Sequence, residues 1–263
     1  MDLGLKGKVV LVAGSSRGLG YATALQFAKE GARVVVNSRS AEGAEKAAAQ
    51  IKAQTGAEVI GIAGDVTSPK AAESLVHRAV DAFGGLDILI TNAGGPPPGP
   101  FEAHDDAAWH KAVEANLMSH VRLIRCALPH LRKSASPSVL TITSSSVKQP
   151  IRNLVLSNSV RAATVGLTKT LSIELAAEGI RFNSILPGWT ETERVTQLLG
   201  DRAKTNNTSV EQEAEKLAAE IPLGRIADPQ EFANAAVFLA SPAASYITGV
   251  MLTVDGGTYK GTL

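Results

Sequence analysis

The segment VVLVAGSSRGLG places Gly14, Gly18 and Gly20 directly after a β-branched run and at the start of an alanine-rich stretch. Positions without a Cβ permit a tight turn and let a phosphate come close to the backbone. A helix beginning there adds free N–H groups and the positive end of its dipole. The pattern reads as a cradle for the pyrophosphate of a dinucleotide, formed by Gly14, Ser16, Arg17, Gly18, Leu19 and Gly20. Taken alone, the glycine triplet also fits a structural turn that binds nothing.

The next chemistry-bearing positions follow the second, third and fourth apolar runs. A site for NAD usually sets an acidic residue at the end of the second strand, where it accepts the ribose hydroxyls. Here the run VVVNSRS supplies Asn37 and Arg39 and no acid. With Arg17 in the glycine turn, two guanidiniums can converge on a 2′-phosphate through charge-assisted bonds, so NADP(H) is preferred over NAD(H). The alternative is that both arginines are solvated surface groups. Asp65, in GDV after the third run, and the adjacent Val66 N–H are placed to meet the adenine. Asn92, Ala93 and Gly94 follow the fourth run at the same crevice, where Asn92 equally suits a brace between loops.

These residues need a scaffold that gathers strand ends. Short β-branched runs at 8–13, 33–37, 58–62 and 86–91 alternate with helical stretches at 18–30, 41–55 and 69–83. Runs such as VVLVA, VVV and ILI are apolar on both faces, as expected where helices cover a parallel sheet on each side. The alternation continues with helix 105–128, strand 138–143, helix 157–178, strand 180–185, helix 229–239 and strand 250–254. The pattern predicts one α/β domain over 1–263, Rossmann-like and doubly wound, with a mostly parallel seven-stranded sheet. In helix 157–178, Val160, Ala163, Thr164, Leu167, Leu171 and Leu175 form an apolar face for the sheet or a second subunit. The loops GGPPPGP at 94–100 and PGWTETE at 187–193 fall after strands and form the expected rim of a site. Residues 190–220 are a polar, helix-prone excursion suited to covering a substrate, or else an ordinary surface insertion.

Composition narrows the class. The balance of 44% apolar and 19% charged residues is that of a globular chain, and a formal charge of +1 gives no electrostatic reason to expect nucleic acid or an anionic membrane. No wholly apolar run is long enough to span a bilayer, and the N-terminus moves from one short strand into the glycine turn, unlike a signal peptide. The lone Cys126 excludes an intrachain disulfide and suits a reducing compartment, so the expected location is the cytoplasm. No metal site is expected: His77, His104, His110, His120 and His130 form no ligand motif with the acids.

From Leu5 to Gly257 the chain resembles the classical short-chain dehydrogenase/reductase family, especially its 3-oxoacyl-acyl-carrier-protein reductase-like branch. The motifs carrying the resemblance are the glycine turn, Asn92-Ala93-Gly94, Asn116, the TITSSS segment, GLTKTLSIELAAEGIRFNSILPG and ITGVMLTVDGG. The resemblance implies a tetrad of Asn, Ser, Tyr and Lys, in which tyrosine moves the substrate proton, serine orients the carbonyl and lysine lowers the tyrosine pKa while holding the nicotinamide ribose. Asn116 and Ser144 match the first two roles. It also implies that Pro187 and Gly188 begin the loop that positions the nicotinamide carboxamide, with contacts from Thr190 and Thr192. Trp189 suits either a substrate pocket or packing. A small-molecule or acyl-carrier-linked substrate is implied, together with a homotetramer or homodimer built on helices 105–128 and 157–178 and the C-terminal region.

The chain departs from the pattern at the proton-transfer pair. Ser157 stands in the tyrosine place and Arg161 in the lysine place, and Ser144 keeps the family spacing of 13 residues before Ser157. An aliphatic hydroxyl is a far poorer acid or base than a phenol, and arginine keeps its charge without relaying protons. Three readings stay open. Ser144 and Ser157 polarise a carbonyl while water supplies the proton, with Lys148 of the following loop within range; the substrate brings its own acidic group or activated double bond; or the chain is a dinucleotide-binding scaffold or regulator without useful turnover. The preferred reading is NADP-dependent reduction of a carbonyl with altered proton transfer.

Overall fold

Runs of valine, isoleucine and leucine bounded by glycine turns fold as strands because branched side chains pack well on a pleated surface buried on both faces. The computed structural model describes residues 1–262. In chain order its elements are β1 (Val9–Val12), α1 (Gly18–Lys29), β2 (Arg33–Ser38), α2 (Ala41–Thr55), β3 (Val59–Ala63), α3 (Pro69–Phe83) and β4 (Ile88–Thr91). There follow α4 (Asp106–Val113), α5 (Ser119–Leu131), β5 (Ser138–Ile142), α6 (Val155–Glu174), β6 (Arg181–Pro187), α7 (Glu193–Asn206), α8 (Val210–Glu220), α9 (Pro229–Ala240) and β7 (Met251–Val254).

The strands form one seven-stranded sheet in the order β3-β2-β1-β4-β5-β6-β7, and every pairing is parallel. The expected doubly wound α/β fold is therefore present, and the sheet is wholly parallel. One core joins α1, α2 and α9 to one face through Phe27, Ile51 and Phe232, and a second joins α3 and α5 to the other through Leu75, Leu123 and Phe182. Burying each such side chain stabilises the fold by about 1.5–3 kcal/mol before entropy is counted.

Helix ends follow local chemistry. The Ser40 hydroxyl caps α2 by accepting the Gly43 N–H, and Gly56 ends that helix in the left-handed region at φ +71°. Asp228 and Glu231 form a capping box at the start of α9. At its other end the Arg181 guanidinium donates to the carbonyls of Leu239, Ala240 and Ser241, and also to that of Ile247. A cation at this helix end meets the negative pole of the dipole.

Two expected helices differ in detail. The 105–128 stretch is α4, a π-helical turn at Glu114–Met118 and then α5, which runs on to Leu131. The 157–178 stretch begins at Val155 and passes into a short 3-10 turn at Ala176–Glu178. The 190–220 excursion consists of α7 and α8, separated at Asn207, whose φ is +54°. Among the described residues, no helix is long and apolar enough to cross a membrane.

Candidate active site

Strand order reverses direction between β1 and β4, and the loops leaving their carboxyl ends splay apart there to open a crevice. The β1–α1 turn lies at this point and is pinned from two sides. The Gly14 N–H donates to Asn37 Oδ1 at 3.1 Å, and Asn92 Nδ2 donates to the Gly14 carbonyl at 3.1 Å. Ser15 Oγ donates to the Val12 carbonyl at 2.6 Å and accepts the Asn37 N–H at 3.0 Å. Gly18 has φ +58°, and a Cβ on Gly20 would lie 2.4 Å from the Gly14 carbonyl oxygen, so no larger residue fits between turn and helix. The first turn of α1 carries no side-chain cap and no acid. Its amide hydrogens thus remain free for an anion, which fits the pyrophosphate of a dinucleotide.

Beyond β2, Arg39 is exposed and has no ion pair among the described residues. Arg17 pairs with Glu193 of α7, Nη1 to Oε2 at 2.7 Å, in an exposed contact. Asn37 is buried, and its amide is fully engaged: Oδ1 holds Gly14, while Nδ2 donates to the carbonyls of Ile62 at 3.1 Å and Gly64 at 3.0 Å. It braces the glycine turn against the loop after β3. Asp65 Oδ1 accepts from Thr67 N and Oγ1, shaping that loop, and Val66 packs into the core. Ala93 offers its carbonyl inward to Arg161, and Gly94 is exposed.

The residues that match the family's catalytic positions lie after β5, in the π turn and on α6. Asn116 sits in that turn, fully buried; its main-chain carbonyl accepts from Thr164 Oγ1 at 2.5 Å, and its side-chain Oδ1 has no partner among the described residues. Ser144 follows β5 and caps a 3-10 turn, accepting the Ser146 N–H at 3.2 Å, so its own hydroxyl hydrogen is free to be donated. Ser157 lies in the first turn of α6, half-buried, with no hydrogen bond from its hydroxyl among the described residues.

Arg161 is 7% exposed and bridges two strand ends. Its Nη1 donates to the carbonyls of Ile142 at 3.3 Å and Thr143 at 2.9 Å, and its Nη2 to that of Ala93 at 3.3 Å. Burial, followed by the positive charge of Arg194, pushes this guanidinium down to about 10. His120, in hydrogen-bond contact with Thr91 Oγ1 at 2.7 Å, is lowered to about 3 by burial and then by Arg161, and is neutral at ordinary pH. Lys148 stacks its ammonium on the Tyr259 ring at 5.1 Å and so engages the C-terminal tail.

The loop after β6 closes over the glycine turn. The Gly188 N–H donates to the Val254 carbonyl at 2.8 Å, tying Pro187 and Gly188 to β7. Thr190 is buried with an unpartnered Oγ1 among the described residues, and Thr192 caps α7 with its methyl 3.6 Å from the place of a Cβ on Gly18. Trp189 packs beneath the Arg202 guanidinium at 5.0 Å. Arg194, in the first turn of α7, was not singled out by any motif; a lone arginine in a polar excursion gives no linear signal. An open pocket of about 340 Å³ between the 99–101 and 150–158 segments is lined by Gly99, Phe101, Ile151, Arg152, Val155 and Asn158 among others; Ser144, Ser157 and Arg161 do not line it. Among the described residues no group of histidine, cysteine and acids could hold a metal.

A wholly parallel doubly wound sheet with a braced glycine turn at its switch point defines a dinucleotide-fold protein. Residues 13–259 match the family described as enoyl-(acyl carrier protein) reductase. The chain is 35% identical to the 3-oxoacyl-[acyl-carrier-protein] reductase of Vibrio cholerae, over 98% of this chain and 99% of the relative. It is 36% identical to a 2,5-dichloro-2,5-cyclohexadiene-1,4-diol dehydrogenase of Sphingobium indicum, over 96% of each. The L-sorbose reductase of Gluconobacter frateurii, solved with NADPH and L-sorbose, superimposes with a TM-score of 0.95 at 34% identity, covering 99% of this chain and 100% of that one. The chain belongs to the classical short-chain dehydrogenase/reductase family.

Proposed function

We propose that the protein is an NADP(H)-dependent oxidoreductase acting on a carbonyl/alcohol pair, with altered proton-transfer machinery. The observation that carries this reading is the β1–α1 turn, held open between Asn37 and Asn92 beside an uncapped helix start. The preference for NADP(H) is supported by the exposed Arg39, which has no ion pair among the described residues, by Arg17 within the turn, and by the NADPH named with the sorbose reductase. When bound, the dinucleotide supplies or accepts a hydride.

The chain's own residues do the rest. The amides of Gly18, Leu19 and Gly20, with Ser16 nearby, hold the diphosphate, and Asp65 and Val66 border the adenine. Ala93, Gly94, Arg161, Pro187, Gly188, Thr190 and Thr192 surround the nicotinamide half. The Ser144 hydroxyl, its oxygen anchored on the Ser146 N–H, donates its hydrogen to the carbonyl oxygen as negative charge builds there. Asn116 holds the π turn against α6. Ser157 adds a second weak donor, and Arg161 keeps a positive charge close by without moving a proton. The proton then comes from water or from the substrate, and a missing acid is worth about 10²- to 10⁴-fold in rate. The substrate is a small or acyl-carrier-linked carbonyl compound, in the manner of the 3-oxoacyl-acyl-carrier-protein reductase-like branch.

A second reading, a dinucleotide-binding scaffold with weak turnover, is favoured by one observation: Arg161 is locked onto three main-chain carbonyls, and Ser157 stands in the tyrosine place. We further propose a cytoplasmic homotetramer or homodimer, for which the outward Ile173 on α6 offers an apolar contact. Titration with NADPH and NADH, followed by NADPH oxidation across a carbonyl panel with wild type and Ser144→Ala, tests the enzyme reading. Stimulated oxidation lost in the variant supports it; tight binding with no stimulation by any carbonyl favours the scaffold.

A further inference from the structure

Two cations meet over the loop after β4. At Gly95 the position of a Cβ lies 3.9 Å from Arg161 Nη2, 3.8 Å from Arg194 Nε and 4.0 Å from Arg194 Nη2. Both guanidiniums therefore border one small volume that no side chain of residue 95 fills. Among the described residues neither has a carboxylate within ion-pair distance. Their protein partners are main-chain carbonyls: Ile142, Thr143 and Ala93 for Arg161, and Pro96 for Arg194 at 2.9 Å. Arg161 retains its Nε–H and one Nη2 hydrogen uncommitted, and Arg194 its Nε–H and Nη1 group.

Bringing two like charges together without an acid costs free energy that an oxyanion between them removes. Planar forks of N–H donors suit a carboxylate in particular. On its Arg161 side this place is separate from the diphosphate cradle, whereas Arg194 follows Thr192 and Glu193, which meet Gly18 and Arg17 of that cradle. Arg161 bonds the end of β5, one residue before Ser144, whereas the cradle lies at the end of β1.

We propose that Arg161 and Arg194 form a receptor for a carboxylate, and that the substrate class is small oxo acids whose carboxylate is seated there while Ser144 meets the carbonyl. The substrate assignment rests on the oxidoreductase reading; the anion receptor does not. Arg194 enters from α7, so the excursion supplies half of the receptor and specificity is completed by the segment covering the crevice.

The test is calorimetric titration of a graded set of 2-oxo acids, from pyruvate to phenylpyruvate, each beside its methyl ester. Each is added to the whole protein alone and with saturating NADP+, using wild type, Arg194→Met and Arg194→Lys. The acids should bind at least about tenfold tighter than the esters in wild type. Arg194→Met should erase that difference, Arg194→Lys should restore part of it, and NADPH affinity should change by less than about twofold. Equal binding of acid and ester, binding of neither, or a loss of NADPH affinity matching the loss for the acids overturns the proposal, the last by assigning the pair to the cofactor's phosphates. If acids bind in an Arg194-dependent way while no dinucleotide binds, the oxidoreductase reading falls and the receptor stands.

Discussion

Arg17 of the glycine turn and Glu193 at the start of α7 form an ion pair, Nη1 to Oε2 at 2.7 Å, that spans the mouth of the crevice. Both side chains are about 70% exposed, so the pair is weak, worth at most about 1 kcal/mol. It nonetheless engages the guanidinium that we propose for the 2′-phosphate of NADP(H). Glu193→Gln should therefore tighten NADPH binding up to about fivefold and leave NADH binding nearly unchanged. Fluorescence titration with both dinucleotides checks this; weaker NADPH binding in the variant would show that the pair holds the site in shape instead.

Asn37 connects the glycine turn, β2 and the loop after β3 through a buried amide. Asn37→Ala leaves the Gly14 N–H and the carbonyls of Ile62 and Gly64 without that partner. The expected cost is about 2–3 kcal/mol in urea unfolding, with NADPH affinity reduced alongside it. A stable variant with ordinary affinity would remove Asn37 from the account of the cradle.

The Ser144 hydroxyl oxygen is already oriented by a turn N–H while its hydrogen stays free. With any carbonyl compound that wild type reduces, Ser144→Ala should lower kcat/KM by about 10²- to 10³-fold and leave the NADPH dissociation constant within about twofold. An equal fall in cofactor affinity would mean that the serine shapes the dinucleotide site and does not stabilise charge on the substrate.

His120 gives a prediction about pH. Its folded-state value lies near 3 against an ordinary 6.5, so between those values the unfolded chain binds a proton that the folded chain refuses. The stability this group contributes is fully present above the ordinary histidine range and is lost as pH falls towards 3. At about pH 4.5 the loss is on the order of 2–3 kcal/mol. Comparing urea midpoints at about pH 7 and 4.5, His120→Gln should decline less than wild type; equal declines would contradict a neutral buried imidazole.

Much of the fold was legible because parallel strands buried on both faces write themselves as short β-branched runs, as in Val9–Val12 and Ile88–Thr91. The π turn around Asn116 was not, since Glu114–Met118 keeps the residue pattern of an ordinary helix. In the candidate site, glycine spacing announced the tight turn before α1, but residue type alone could not tell a ligand contact from a brace. Asn37 and Asn92 both bond the backbone of Gly14. Arg194 could not be read at all, because its meaning comes from Gly95, 99 positions earlier in the chain.

The most direct test is calorimetric titration of the whole protein with NADPH and NADH, in wild type and Arg39→Ala. A crevice gripping a diphosphate beside two arginines should bind NADPH more tightly than NADH, and Arg39→Ala should cut NADPH affinity by about tenfold or more while sparing NADH. No measurable heat with either dinucleotide would contradict the account at its base.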